Sequence, residues 1–194
     1  MKALKIIGIV LLIIVALFLI IPLFMASSYS VERSTVIDRP VETVFPQVAD
    51  FNNWVEWNPW SEMEPRARNL VSGTPMSEGS SWSWEGEVIG SGTLTIVNLA
   101  PNRLIESELV FKAPMQGTAD DSWQFAPTAD GGTEVTWKNS GGLDYPVGRW
   151  FRPMVEAQLG GQFERGLANL KARCESMPVP VEHDSTMMNI ETEE

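Results

Sequence analysis

The period of hydrophobic and polar positions changes twice along the chain and divides it into three stretches. Ala3 to Met25 is almost unbroken Leu, Ile, Val, Phe and Ala. As a helix it is long enough to cross about 30 Å of hydrocarbon, whereas the apolar region of a signal peptide runs about 7 to 15 residues. From Tyr29 to Met177 the pattern alternates between period 2 and period 3.6. Beyond Met177 the chain is broken by proline and ends Glu191-Thr192-Glu193-Glu194, so residues 178–194 read as a disordered acidic tail.

Within the middle stretch, Tyr29 to Ile37 predicts a first strand. Val41, Val44, Phe45, Val48 and Phe51 fall at helical spacing, and Pro40 stands where the first turn tolerates a missing N–H, so a helix is predicted from Pro40 to about Asp50. Residues 62–79, rich in Pro, Ser, Gly and charge, read as loop with one edge strand around Arg68 to Val71. An antiparallel meander follows. Ser81 to Val88 puts Trp82, Trp84 and Val88 on one face; Thr93 to Leu99 comes next; Leu104 to Phe111 sets Ile105, Leu109 and Phe111 opposite Glu106 and Glu108. Ser122 to Ala126 and Thr133 to Asn139 complete the set, joined through Asp130-Gly131-Gly132, a hairpin turn in which glycine supplies positive φ. Gly86, Gly90 and Gly92 suggest a turn or bulge that helps the sheet curl. Pro146 to Met177 predicts a long closing helix beginning near Arg149, with Val155, Leu159, Phe163, Leu167, Leu170 and Cys174 as its apolar stripe. Gly160-Gly161 interrupts it at a cost of about 1 kcal/mol each. Close packing against the sheet, or a kink or mobile portal into a cavity, would each explain the pair.

Trp54, Trp57 and Trp60 crowd into seven residues before and after Pro59. A short helical turn would place the first two rings on one side, either as aromatic core under a loop or as a wall that a ligand touches. This run belongs to a series: Pro40-x-x-x-Val44-Phe45, Asp50-x-x-x-Trp54-x-x-Trp57-Asn58-Pro59-Trp60, Trp82-x-Trp84-Glu85-Gly86, Gly90-x-Gly92, Phe111-x-x-Pro114-x-x-Gly117, Gly132-Thr133-x-Val135-x-Trp137 and Phe163-Glu164-x-Gly166-Leu167-x-Asn169-Leu170-Lys171. In that order they resemble the polyketide cyclase/dehydrase-like branch of the SRPBCC superfamily, the START-like and birch-allergen-like proteins. The resemblance spans about Tyr29 to Met177. It implies an α+β helix-grip fold, a curved antiparallel sheet wrapped around a long C-terminal helix with an apolar cavity between them. It implies no particular reaction and supplies no catalytic residue.

The domain organisation expected is therefore a membrane anchor at residues 1–28, a helix-grip domain at 29–177 and the tail at 178–194. Lys2 and Lys5 stand near the start of the apolar run and no acid lies within it, which favours a single-pass N-inside orientation in the cytoplasmic membrane with the domain outside. Ala26-Ser27-Ser28 also offers small residues to a signal peptidase, so removal of the segment stays open. The formal net charge of −11 and the lack of a basic stripe exclude nucleic acid as a partner. An acidic domain also has little electrostatic reason to lie flat on an anionic bilayer.

Catalytic constellations are scarce. The sole histidine, His183, lies in the tail, and the sole cysteine, Cys174, reads as a small apolar helix residue; neither a metal site nor a cofactor motif is visible. Asp50, Glu56, Glu85, Glu87, Glu106, Glu108, Asp120, Asp121, Asp144, Tyr29 and Tyr145 remain for acid–base work. Alternation sends Glu85, Glu87, Glu106 and Glu108 to the solvated sheet face, and the sequence does not show which carboxylate, if any, is buried. A hydrophobic small molecule or lipid is the expected partner, held by some of Trp82, Trp84, Ile105, Leu109, Phe111, Trp123 and Trp137 from the sheet and by Val155, Leu159 and Phe163 from the helix. The alternatives are a cyclase or dehydratase that folds a polyketide-like chain in the same cavity, and a protein-interaction module. A cavity of about 300 Å³ or more would favour a ligand; large aromatics filling the space would favour the last reading.

Overall fold

The computed structural model describes residues 2–114 and 116–178; the acidic tail from residue 179, with His183, lies outside them. Helix α1 (Lys2–Ile20) runs into a 3-10 turn at Ile21–Phe24 and then into strand β1 (Ser28–Ile37). Helix α2 (Val41–Ala49), a 3-10 segment (Phe51–Glu56) and helix α3 (Pro59–Met63) follow. The meander comprises β2 (Arg68–Ser72), β3 (Ser81–Glu85), β4 (Ser91–Ala100), β5 (Leu104–Ala113), β6 (Gly117–Pro127) and β7 (Thr133–Gly142), and α4 (Val147–Ser176) closes the fold.

All seven strands form one antiparallel sheet in the order β1-β7-β6-β5-β4-β3-β2. Its buried face is organised in rungs. Tyr29, Gly141, Ala119, Leu109 and Leu94 pair across one rung; Val31, Asn139, Asp121, Ser107 and Ile96 form the next; Arg33, Trp137, Trp123 and Ile105 form the third. The rung of Tyr29 is the one nearest α1, and Leu143 N–H to Ser27 O continues that ladder toward it at 2.8 Å.

Helix α4 lies on this face and follows β1. It buries Phe163, Leu167, Leu170 and Cys174, with Val155 and Leu159 half-buried. Polar contacts fix its register. The Arg33 guanidinium meets Glu164 at 2.7 Å, Lys171 Nζ donates to Val36 O at 2.6 Å, and Glu175 accepts from the Asp38 amide at 3.0 Å. The two mid-helix glycines differ. A Cβ on Gly160 would stand 2.5 Å from Arg33 Nη2, whereas one on Gly161 would meet nothing within 4 Å, and the helix continues through both. Close packing therefore accounts for Gly160, whereas Gly161 faces open space.

Several boundaries depart from the sequence reading: β6 begins at Gly117 rather than Ser122, and β7 runs on to Gly142 rather than ending at Asn139. Helix α4 begins two residues before Arg149, at Val147. Val88 does not share a strand face with Trp82 and Trp84; β3 ends at Glu85 and Val88 is 69% exposed. The cause is Glu64, whose carboxylate accepts from the amides of Glu87, Val88 and Ile89 at 2.9, 2.9 and 3.1 Å and takes them out of strand pairing.

Candidate ligand cavity

Seven of the eight tryptophans fill the grip, the exception being Trp150. The 3-10 segment after α2 is opened by Asp50, whose Oδ1 accepts from the Asn52 amide at 3.0 Å. That turn places Trp54 and Trp57 side by side, ring centroids 5.3 Å apart, with their indole N–H groups on Val48 O (2.8 Å) and Gln47 O (3.0 Å). Asn58 caps α3 through the Trp60 amide at 2.9 Å. At the far rung, Trp123 stacks on Trp137 at 4.2 Å, and Trp137 stacks on Phe163 of α4 at 3.9 Å with the planes 9° apart.

These rings leave one apolar cavity of about 120 Å³ toward the Tyr29 end of the sheet. Trp54, Trp60, Trp82, Trp84, Ile89, Leu94, Leu109, Phe111, Trp137, Leu159 and Phe163 line it, together with two polar residues, Asp121 and Asn139. Its half-buried members Trp60, Ile89, Leu109 and Leu159, with Phe111 at 36% exposure, mark the mouth. Gly92 lets Trp84 lie against the β4 backbone, where a Cβ would strike the ring.

Of the residues expected to line such a cavity, Trp82, Trp84, Leu109, Phe111, Trp137, Leu159 and Phe163 do so. Ile105, Trp123 and Val155 do not. Ile105 and Trp123 sit on the third rung, beyond Trp137, where Trp57 packs edge-on against Trp123 at 5.8 Å and closes the space. Val155 packs against the core from the helix without reaching the void. The cavity is also smaller than the ~300 Å³ expected, because the aromatic cluster occupies most of the space between sheet and helix.

At the polar end, Asp121 falls just before the strand start expected at Ser122, whereas Asn139 lies within the strand expected from Thr133 to Asn139. Asp121 and Asn139 are buried neighbours on the second rung. Trp123 Nε1 donates to Asp121 Oδ1 at 3.0 Å, while Trp137 Nε1 and Asn139 Nδ2 donate to Oδ2 at 2.9 and 3.3 Å. Tyr29 donates its hydroxyl to Asn139 Oδ1 at 2.9 Å. Burial pushes the Asp121 carboxyl up to about 7, against the three donors that lower it. Tyr29 is raised by burial and then by the carboxylates of Asp121 and Asp120. The signal was present in the pattern. Carrying the alternation of Phe125 and Trp123 back by two residues reaches Asp121, and carrying Val135 and Trp137 forward reaches Asn139.

Every donor around Asp121 is neutral and already points at it. When the group holds a proton, the neighbouring N–H groups cannot accept it, and Oδ1, with one partner against two for Oδ2, is the freer oxygen. The other acid–base candidates are elsewhere: Glu85, Glu87, Glu106, Glu108 and Asp120 are exposed, and burial holds the Cys174 thiol up at about 11. Among the described residues no three His, Cys, Asp or Glu side chains gather as a metal site.

Residues 28–175 match the family model described as polyketide cyclase / dehydrase and lipid transport. Solved structures share the fold. A protein from Chromobacterium violaceum aligns at 16% identity over 76% of this chain and 98% of its own, with a TM-score of 0.57. CalU16 from Micromonospora echinospora aligns at 16% identity over 76% of each chain, TM-score 0.53. Ara h 8.0201 aligns at 11% identity over 75% of this chain and 99% of its own, TM-score 0.51. No functionally curated protein matches significantly.

Proposed function

We propose, since this chain belongs to the polyketide cyclase/dehydrase and lipid transport family, that it is a membrane-tethered binding protein for a small hydrophobic molecule carrying one hydrogen-bonding oxygen. The observation that carries this reading is the cavity itself, apolar on all sides but one, with Asp121 and Asn139 at that side. Its volume of about 120 Å³ compares with the roughly 150 Å³ of an apolar protein cavity that holds benzene. A single ring or the end of a short chain fits inside, and the rest of a longer ligand would protrude past Phe111 and Leu159.

The tether is α1 with the turn after it. Lys2–Phe24 is 23 residues, and its most apolar 18-residue window has a mean hydropathy of 3.4 and is almost wholly exposed. It supports a single pass, with Lys2 and Lys5 inside and the domain on the extracytoplasmic side.

Titration of the full-length protein in lipid nanodiscs with 4-iodophenol, whose heavy atom quenches indole fluorescence, tests the binding reading. Saturable quenching above that of empty nanodiscs, lost in Leu159→Trp, is expected. Absence of saturable quenching by correctly folded protein would leave the protein-interaction reading ahead. Asp121 favours a second reading, a cyclase- or dehydratase-like enzyme in which this carboxyl is the general acid. That reading requires Asp121→Asn to retain the ligand while losing turnover.

A further inference from the structure

The first turns of α4 present an apolar surface that the sheet does not use. Val147, Trp150, Phe151 and Met154 recur at helical spacing and are 51, 37, 49 and 56% exposed, beside Tyr145 at 46%. This stripe lies on the α4 face adjacent to Val155 and Leu159, which turn inward. Exposed apolar contacts in such a row mark an interaction surface.

Its neighbour in the fold identifies the occupant. Trp150 stacks on Phe18 of α1, centroids 6.0 Å apart and planes 7° apart, and its Nε1 donates to Phe18 O at 3.1 Å. Phe18 O would ordinarily accept from the amide four residues on, but that residue is Pro22 and has no N–H. Tyr145 donates its hydroxyl to Leu19 O at 2.6 Å, and Arg149 donates to Pro22 O at 2.7 Å. Three side chains of α4 and the turn before it thus reach carbonyls at the end of the apolar helix, of which Pro22 O also accepts from the Met25 amide at 3.3 Å. Those carbonyls would be costly to leave unpaired at the edge of hydrocarbon. The contact sets the exposed stripe beside the end of the span, at the depth where Trp and Tyr collect in membranes.

We propose that the start of α4, from Tyr145 to Met154, is seated in the headgroup region of the bilayer that holds α1. The proposal rests on the reading of α1 as a membrane anchor. Insertion is apolar and aromatic rather than electrostatic, since Arg149 is engaged with Pro22 O and Arg152 with Glu156 at 2.8 Å. The acidic surface therefore does not prevent the domain from resting on the membrane; it limits contact to this acid-free segment. The cavity lies toward the same end of the sheet, and Leu159 at its mouth stands two turns along α4 from Phe151.

Spin labels at single cysteines, introduced into full-length Cys174→Ala protein in phosphatidylcholine liposomes, test this by depth. Accessibility to oxygen and to a water-soluble nickel chelate would be read at Leu12→Cys, Phe151→Cys and Asp130→Cys. Labels at 12 and 151 shielded from nickel, with the label at 130 in water, is the expected result. A label at 151 in water while 12 is in lipid overturns the seating and leaves the anchor. A label at 12 in water overturns the anchor and the seating together. Shielding at 130 as well as 151 overturns the seating by this segment alone.

Discussion

Trp137 donates its indole N–H to Asp121 Oδ2 at 2.9 Å, so the ring that floors the cavity is keyed to the carboxyl that forms its polar end. The same ring is stacked between Trp123 and Phe163. Sheet, helix and polar group are thereby held in one arrangement, and the protonation state of Asp121 is coupled to the packing around it.

That coupling predicts a pH-dependent stability difference. The folded Asp121 carboxyl is raised from 3.8 to about 7, so the native state binds its proton more tightly than the unfolded chain does. Its contribution is fully present below pH ~4 and is lost as pH rises through about 7, an interval worth about 4 kcal/mol. Asp121→Asn removes this titration and, at alkaline pH, also relieves Tyr29 of the neighbouring carboxylate that raises it, so the comparison is read below about pH 9. The difference in unfolding free energy between variant and wild type, measured by urea denaturation, should grow in the variant's favour from pH 4 to pH 7 and level off above pH 8. A flat difference would mean that Asp121 takes up no proton on folding.

Glu64 should act locally. Its carboxyl is held below the usual range, first by the Glu87 amide and then by those of Ile89 and Val88, so the clamp is present above the ordinary carboxylate pKa and released as pH falls through the lowered value. In Glu64→Ala, hydrogen exchange at residues 87–89 should accelerate at least tenfold while amides of β5 and β6 keep their rates.

The glycines of α4 should respond in opposite directions. Gly161→Ala adds a methyl in open space and removes a helix-disfavouring residue, and should stabilise by about 1 kcal/mol. Gly166→Ala would drive a methyl to 2.9 Å from the Trp137 ring and 3.0 Å from Pro59, and should cost about 1–3 kcal/mol. Thermal melts of the two variants check both signs.

The orientation proposed for α1 predicts that protease added to spheroplasts digests the domain without lysis. Survival of the domain until the membrane is disrupted would reverse the assignment.

The sheet was legible because its strands are half-buried: Glu106 and Glu108 alternate with Ile105 and Leu109, and period 2 reveals which face is which. The helix stripe from Phe163 to Cys174 was legible for the same reason at period 3.6. Asp121 stood among the acid–base candidates but was not placed at the cavity, because its strand was started at Ser122 whereas β6 begins at Gly117, and a polar residue on a buried face breaks the pattern by which strands are recognised. The extent of the cavity was not legible at all. Whether Trp57 fills a void or borders one depends on a turn geometry that Asp50 and Asn58 impose through backbone amides, which alternation does not record.

The pairing of β1 with β7 has a consequence for biosynthesis. Ser28 is the first residue of the sheet to emerge and Gly142, its partner, the last of the strands. At synthesis rates of about 5–20 residues per second, β1 waits roughly 5–20 s with neither edge paired. Outward-facing Glu32 and half-buried Arg33 stand in the middle of that strand, charges that discourage two nascent chains from pairing edge to edge during the delay.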